Sequence, residues 1–465
     1  MRFNIIHTND LHGHLESWPV IQEFIKQKID SYQQAKEPYL ILDDGDAMDT
    51  VHPLVEASQG QIMVDLFNAV GYDVVTLGNN EGLNFTQEEL DKRYKSADFE
   101  IIISNLLNYK TKQIPDWAKS FVIKQVNGCK VAIFGLTAPY QTYYLNNYQI
   151  IQPFEAIDQT MDEIKQVLKP DLIILLSHLG LNVDREIAER YPQIGLIIGG
   201  HTHHVLHQGE WRQQTLLAGA GRYGEFIGEI NIDFDPVSRN LEMMANTYDT
   251  SHLAREYGLD ISRDLYLCKG QKHLDNQIVA HSKKNYLALD RQTEESFILM
   301  ALEAISWATD HDLALLNTGL FLSDLPKGKV TQKDLHEALP HPMHLATISL
   351  TGEQLYELLC EIEDQAEDLQ YQLIYGLGFR GKIFGEIVFK GIEFNFSDYQ
   401  WYVAGETIDM QKIYHLVTVD HLWFLPFFPS IDRYGNPQLI FPDFLRHVVA
   451  KYLAKHCIGS DSERL

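Results

Sequence analysis

Cysteine is scarce in this 465-residue chain. The four present (Cys129, Cys268, Cys360 and Cys457) stand far apart, with no Cys-x-x-Cys pair. That excludes a zinc ribbon or a disulfide framework and fits a reducing compartment. No run approaches ~18 uninterrupted apolar residues, so nothing reads as a membrane-spanning helix. Met1-Arg2-Phe3 leads directly into Asn4-Ile5-Ile6-His7, without an apolar h-region or a small-residue cleavage site. These absences predict a cytoplasmic protein, although a chain whose leader had been removed would open the same way. Positive charge is also short: 38 Lys and Arg face 64 Asp and Glu, a formal net charge of −26. Such a surface repels nucleic acid polymers and anionic membranes. It also repels a small phosphate substrate, unless bound cations or a local basic pocket reverse the sign where the substrate sits. Internal repeats and low-complexity segments are missing, and nothing signals an oligomeric state.

What is present is a chain long enough for two or three domains. Up to about residue 235, short apolar runs alternate with amphipathic stretches. Phe3–His7, Tyr39–Leu42, Val74–Leu77, Glu100–Ile103, Val131–Leu136, Leu172–Leu176 and Leu196–Ile198 read as strands. Val20–Lys36, Ile62–Val70, Gln87–Ser96 and Phe154–Leu168 read as helices. The alternation predicts an α/β domain with a largely parallel sheet. Asn127-Gly128 adds a hairpin, and the alternating Phe226–Phe234 a further strand. Residues 246–295 are polar and helix-rich and read as a connection or hinge. A second α/β unit, 296–465, follows, with helices at Ser296–Trp307 and Gly352–Gln365 and strands at Leu313–Leu316, near Ile387–Phe396 and at Tyr414–Val419.

Polar residues collect just after the predicted strands of the first unit: His7-Thr-Asn-Asp10-Leu-His12-Gly-His14, Asp43-Asp-Gly-Asp46, Gly78-Asn79-Asn80-Glu81, Ser177-His178 and Gly199-Gly-His201-Thr-His203-His204. Open α/β sheets bind ligands at the carboxyl ends of their strands. Carboxylate, amide and imidazole without thiolate suit Zn, Mn or Fe in a non-structural site. Each fragment alone has a plainer reading as a hydrogen-bonded turn or a solvated loop. Five of them in order, each at a strand end, point to a centre holding two cations.

The order Asp-x-His, Gly-Asp, Gly-Asn, His, Gly-His-Thr-His resembles the calcineurin-type metallophosphoesterases. The opening His7–His14, with the stretches Leu313–Leu335 and Leu345–Leu359, resembles the 5′-nucleotidase/UDP-sugar hydrolase/2′,3′-cyclic phosphodiesterase family in particular, over nearly the whole chain. The resemblance implies a metallophosphoesterase sandwich of two sheets flanked by helices in residues 1–245, and a substrate-binding 5′-nucleotidase-type domain in 296–465. It implies two divalent ions: one on Asp10, His12 and His203, the second on Asn79, His178 and His201, with Asp46 bridging. His203 stands where the family often has Gln. The implied reaction is in-line attack on a small phosphate ester, a nucleotide above all, by a metal-bound hydroxide, with Asn79 and Asn80 steadying the phosphoryl oxygens.

Two departures stand out. The family's third motif usually reads Gly-Asn-His-Glu, its His assisting at the attacked phosphate and oriented by an Asp three residues on. Here the two positions are Asn80 and Leu83. Asn donates a hydrogen bond but cannot supply a proton, which favours cyclic or pyrophosphate-linked substrates over simple 5′-monophosphates. In the second unit, the usual Gly-Gly-x-Arg is replaced by Asn317-Thr-Gly-Leu-Phe321, and Arg380 on the Gly-rich turn 376–382 is the best replacement for the phosphate-binding Arg. The aromatics of Trp423–Phe428 either stack a base or fill the core, with core favoured. Gly219-Ala-Gly-Arg-Tyr-Gly224 spells a dinucleotide fingerprint, but a strand and not a helix follows, so it reads as a turn. The rival reading is a metal- and nucleotide-binding protein with weak or no turnover.

Overall fold

The computed structural model describes residues 1–167, 169–262, 264–376 and 378–457. The last residue of the helix expected at Phe154–Leu168 and the second residue of the 376–382 turn fall outside them. The chain divides into two compact units, Met1–Gly270 and Gln271–Leu465, the division falling inside the 246–295 segment.

The first unit holds two six-stranded sheets. One runs in the order Leu241–Asp249, Phe226–Phe234, Arg2–Thr8, Tyr39–Asp43, Val74–Thr76, Glu100–Ile102. The other runs Glu210–Arg212, Thr215–Ala218, Leu196–Gly199, Leu172–His178, Cys129–Thr137, Phe121–Val126. Side-chain alternation along each strand assigns residues to layers. Phe3, Ile5, Leu40, Leu42 and Val74 meet Val131, Ile133, Ile174, Leu176, Leu196 and Ile198 in a core between the sheets. Their neighbours Ile6, Ile41 and Val75 face outward onto Trp18, Ile21, Phe24 and Val64. On the other side Phe134, Ile173, Leu175 and Ile197 pack on Ile157, Met161, Ile164 and Ile187. Both faces of both sheets are therefore covered, which is why the strands read as nearly unbroken apolar runs. Four strands of each sheet run parallel, and their carboxyl ends deliver the polar fragments. The Asn127-Gly128 hairpin forms as expected, with both residues at positive φ.

His7 is buried in the central strand opposite Gly228 on the antiparallel neighbour Phe226–Phe234. A Cβ on Gly228 would stand 1.9 Å from His7 Nε2, so the ring occupies space that only glycine leaves open. Sequence reading did not separate the short helices Pro53–Ala57 and Asn79–Asn84, nor the helix Leu181–Arg190. The first two are about one turn long, too short to show a helical period.

The second unit is built on a five-stranded sheet, ordered Ile387–Lys390, Leu313–Asn317, Ile413–Val419, His344–Thr351, Gln438–Phe444. The helices Phe297–Thr309, Gly352–Asp364 and Leu445–His456 contribute to its core. The strand expected near Ile387–Phe396 is two strands, broken at Gly391. Of the Trp423–Phe428 aromatics, Phe428 lies in the core, whereas Phe424 is exposed. Phe379 is stacked between His341 and His421, each ring 5.1 Å away.

His421 is fully buried, and neither ring nitrogen has a hydrogen-bond partner. Burial pushes its pKa down from 6.5 to about 4. The ring stays neutral in the fold but takes up a proton near 6.5 once unfolded, so its share of stability is present above that pH and lost as pH falls toward 4. Burial also lowers His341, to about 3, in the same sense. Asp420, raised to about 7 by burial, acts oppositely and loses its contribution as pH rises. His421→Phe is expected to lessen the fall in melting temperature between pH 6.5 and 4, by an amount worth on the order of 3 kcal/mol. Calorimetry at matched ionic strength checks this, and an equal fall in both proteins would clear His421 of the effect.

Candidate metal centre

Asp10 and His12 follow the strand Arg2–Thr8, Asp46 follows Tyr39–Asp43, and Asn79 follows Val74–Thr76, all in one sheet. His178 ends Leu172–His178, and His201 and His203 follow Leu196–Gly199 in the other. The structure gathers most of these side chains. Asp10, His12 and His203 form one group of possible ligands, and Asp10, Asp46 and His178 a second. His12 Nε2 lies 3.7 Å from Asp10 Oδ1, 3.6 Å from Asp46 Oδ2 and 3.3 Å from His203 Nε2. His203 Nε2 is 3.4 Å from Asp10 Oδ1, and His178 Nε2 is 3.2 Å from Asp46 Oδ2 and 3.8 Å from Asp10 Oδ1. Ligand atoms sharing a cation at about 2.0–2.2 Å stand this far apart. Asp46 Oδ2 thus faces a histidine on either side, while its Oδ1 accepts the Asn80 N–H at 2.7 Å. His201 packs its ring 5.3 Å from that of His178, and its N–H donates to both oxygens of Asp10 at 3.1 Å. Arg380 belongs to the second unit, where its backbone N–H donates to His341 Nδ1.

The atoms that a cation would need are open. His178 Nδ1 bonds the Asp44 carbonyl at 2.8 Å, which turns Nε2 toward Asp46 with no hydrogen-bond partner of its own. Asn79 Oδ1 is likewise buried without a partner. Unpartnered polar atoms are costly inside a protein, and His178 Nε2 lies beside the Asp46 and Asp10 carboxylates. The donor set fits divalent metal.

Electrostatics say the same. Burial opposes ionisation of Asp10 and Asp46, yet the neighbouring histidines hold both carboxyls below the ordinary range. Burial likewise opposes charge on His12 and His178, but the carboxylates push His12 up to about 10 and His178 well above its usual value.

Three residues that sequence reading passed over organise the centre. Glu81, buried, accepts N–H groups from Gly78 at 3.0 Å, Asp46 at 3.1 Å and Met48 at 2.9 Å, tying two strand-end loops together. Its signal was present: Gly78 is the N-cap of the short helix Asn79–Asn84, and Glu at the third helical position is capping-box chemistry. Gly78 cannot carry a side chain, because a Cβ would stand 2.4 Å from the Asp46 nitrogen and 2.1 Å from its Oδ1. Asp49, also buried, places Oδ2 3.5 Å from His12 Nδ1 and 3.4 Å from Asn80 Nδ2. Nothing in the sequence marks it. Tyr223, in the Gly219–Gly224 segment that is a turn between strands as expected, sets its ring 5.8 Å from that of His12.

Residues 3–205 match the calcineurin-like phosphoesterase family, and residues 278–423 match the 5′-nucleotidase C-terminal domain. The chain is 33% identical to the uncharacterized metallophosphoesterase YunD of Bacillus subtilis (strain 168), over 98% of this chain and 99% of the relative. It is 24% identical to a 5′-nucleotidase of Vibrio vulnificus (strain CMCP6), covering 77% and 75%. The fold is shared with a 5′-nucleotidase precursor from Thermus thermophilus (TM-score 0.56, 18% identity, 99% and 97% covered). It is shared too with the Haemophilus influenzae NAD nucleotidase (TM-score 0.62, 18% identity, 98% and 97% covered).

A carboxylate on the far nitrogen of a ligand histidine fixes its ring and raises its basicity, and losing it typically weakens metal binding about 10- to 100-fold. Asp49→Asn is expected to weaken Mn²⁺ binding by that factor, measured by titration calorimetry. An unchanged Kd would remove Asp49 from the centre.

Proposed function

The chain belongs to the calcineurin-like phosphoesterases and carries a 5′-nucleotidase C-terminal domain, and from that premise we propose that it hydrolyses phosphate esters of nucleotides or related small molecules at a two-cation centre. Asp10, His12 and His203 would hold one ion and Asn79, His178 and His201 the other, with Asp46 available to both. The observation that carries this reading is the approach of His12 Nε2 and His178 Nε2 to Asp46 Oδ2, at 3.6 and 3.2 Å, with His203 Nε2 3.4 Å from Asp10. Divalent cations in such a ligand set polarise a phosphoryl group and bring the pKa of water down toward neutrality.

The chain's own residues do the rest. Asp44 O fixes the His178 tautomer, and Glu81 fixes the backbone from which Asp46 projects. With His12 Nε2 given to a ligand, Nδ1 would carry the ring proton toward the Asp49 carboxylate, and the Asn80 amide nitrogen, 2.9 Å from Nδ1, would be free to donate to a substrate oxygen. Its N–H bond to Asp46 keeps the residue at the centre throughout.

Asn80 cannot protonate a leaving group, and general acid catalysis is typically worth ~10²–10⁴-fold. Substrates whose leaving oxygen needs no proton, such as a pyrophosphate, or whose ring strain helps, such as a 2′,3′-cyclic phosphate, are therefore favoured over 5′-monophosphates. Protein supplied with Mn²⁺ is expected to show a higher kcat/KM for a pyrophosphate-linked dinucleotide and for 2′,3′-cyclic AMP than for AMP. Asn80→His is expected to raise AMP hydrolysis by about 10²-fold. A wild-type preference for AMP would overturn the selectivity argument. Metal binding with no turnover of any of these would instead favour a binding role.

A further inference from the structure

The loop Gly219–Gly224 is fastened on both sides to the segments that bear the candidate ligands. The Ala220 N–H donates to Asn9 Oδ1 at 3.0 Å, and Asn9 Nδ2 donates back to the Gly221 carbonyl at 2.7 Å. The Tyr223 N–H donates to the Asp10 carbonyl at 2.8 Å, and the Gly221 N–H to that of His204 at 3.2 Å. Tyr223 itself holds a left-handed backbone, φ +59°, which an aromatic residue adopts only when its surroundings impose it. The outcome is a fixed ring beside the metal cluster. It meets His12 nearly edge-on, lies 6.4 Å from the ring of His203, and stacks on His14 at 3.9 Å.

Arg222 lays its guanidinium against that ring, 4.6 Å from the centroid. The side chain is exposed and makes no ion pair among the described residues. Its charge is therefore not offset by a carboxylate at contact distance, in a chain with a net charge of −26. The cation–π contact restrains the guanidinium without consuming its N–H groups, so the planar fork remains free for anionic oxygens. The contact is to Tyr223, with the ring set next to His12 and His203. The guanidinium is thus a neighbour, through one ring, of two of the candidate ligand histidines.

We propose that Arg222 is a specificity-determining residue that receives a second anionic group, phosphate or carboxylate, on a substrate whose reacting phosphoryl group sits at the metal cluster. The assignment rests on the phosphoester hydrolase reading. It supplies, within the first unit, a cationic contact for the substrate, and among the substrates favoured above it selects those that carry a further anion, the pyrophosphate-linked ones before the cyclic phosphates.

The test compares wild type, Arg222→Gln and Arg222→Lys, each loaded with Mn²⁺. The quantity read is the ratio of kcat/KM for a doubly anionic substrate to that for p-nitrophenyl phosphate. ADP supplies the second group as phosphate and 3-phosphoglycerate as carboxylate, so the two arms separate the sources. The ratio is expected to fall about tenfold or more in Arg222→Gln for at least one arm, as suits a lost charge-assisted hydrogen bond, and to recover in part in Arg222→Lys. A ratio equal in all three proteins overturns the proposal. Should wild type hydrolyse none of the substrates, the hydrolase reading fails, and binding of inorganic pyrophosphate against inorganic phosphate by calorimetry decides on Arg222. A wild-type preference for pyrophosphate that Arg222→Gln abolishes sustains the role, and no such preference ends it.

Discussion

The carboxylate of Glu81 accepts three backbone N–H groups, from Gly78, Asp46 and Met48, and the geometry of the centre depends on that contact. The loops after Tyr39–Asp43 and Val74–Thr76 have no ladder to hold them together beyond the strands. Glu81 substitutes for one. Burial and the nearby Asp46 charge push its pKa up to about 7 even though three donors favour the ionised form, so the group is held under tension between desolvation and hydrogen bonding. Gly78 belongs to the same device, since only a residue without Cβ lets the two loops approach. Asp46 takes its position from these contacts, and the histidines are arranged about Asp46.

The backbone bears the cost of this arrangement. Asp10, His12, Asp46, His201 and His203 all have positive φ, between 48° and 67°. Left-handed conformations are unfavourable for non-glycine residues by roughly 1–2 kcal/mol each and persist only where their surroundings over-determine them. The surroundings here can be named. His201 and Tyr223 donate N–H bonds to Asp10, the His12 N–H donates to the Asp46 carbonyl at 2.7 Å, and the core between the sheets fixes where each loop starts. Strain of this kind is concentrated where ligand side chains must turn back across a strand end instead of continuing along it.

Much of the first unit was legible in the sequence because parallel strands buried on both faces write themselves as apolar runs. The seven candidate ligands were legible because each follows such a run. The match to family pattern named them before any geometry did. What was not legible has a common physical character. Glu81, Asp49 and Arg222 act through contacts between segments distant in sequence or through space left by a missing partner. A carboxylate three residues past Asp46 looks like any other until His12 is found beside it, and an arginine in a turn is unremarkable until its lack of a counter-ion is seen. In the second unit the strands His344–Thr351 and Gln438–Phe444 and the Phe379 stack were missed for a related reason, since their places are set by tertiary packing and not by local period.

The two sheets of the first unit divide the ligand set between them. Asp10, His12, Asp46 and Asn79 come from one sheet, and His178, His201 and His203 from the other. Cations shared by that set would act as rivets through the open edge of the sandwich, where the interior otherwise ends in charged side chains and not in packed hydrocarbon. Because only the closed edge offers both halves of the set, each tenfold rise in free metal above its Kd adds about 1.4 kcal/mol to the closed form. The edge that carries the candidate ligands would then be the part of the unit whose rigidity the surroundings can dial, while the apolar core behind it stays indifferent to metal supply.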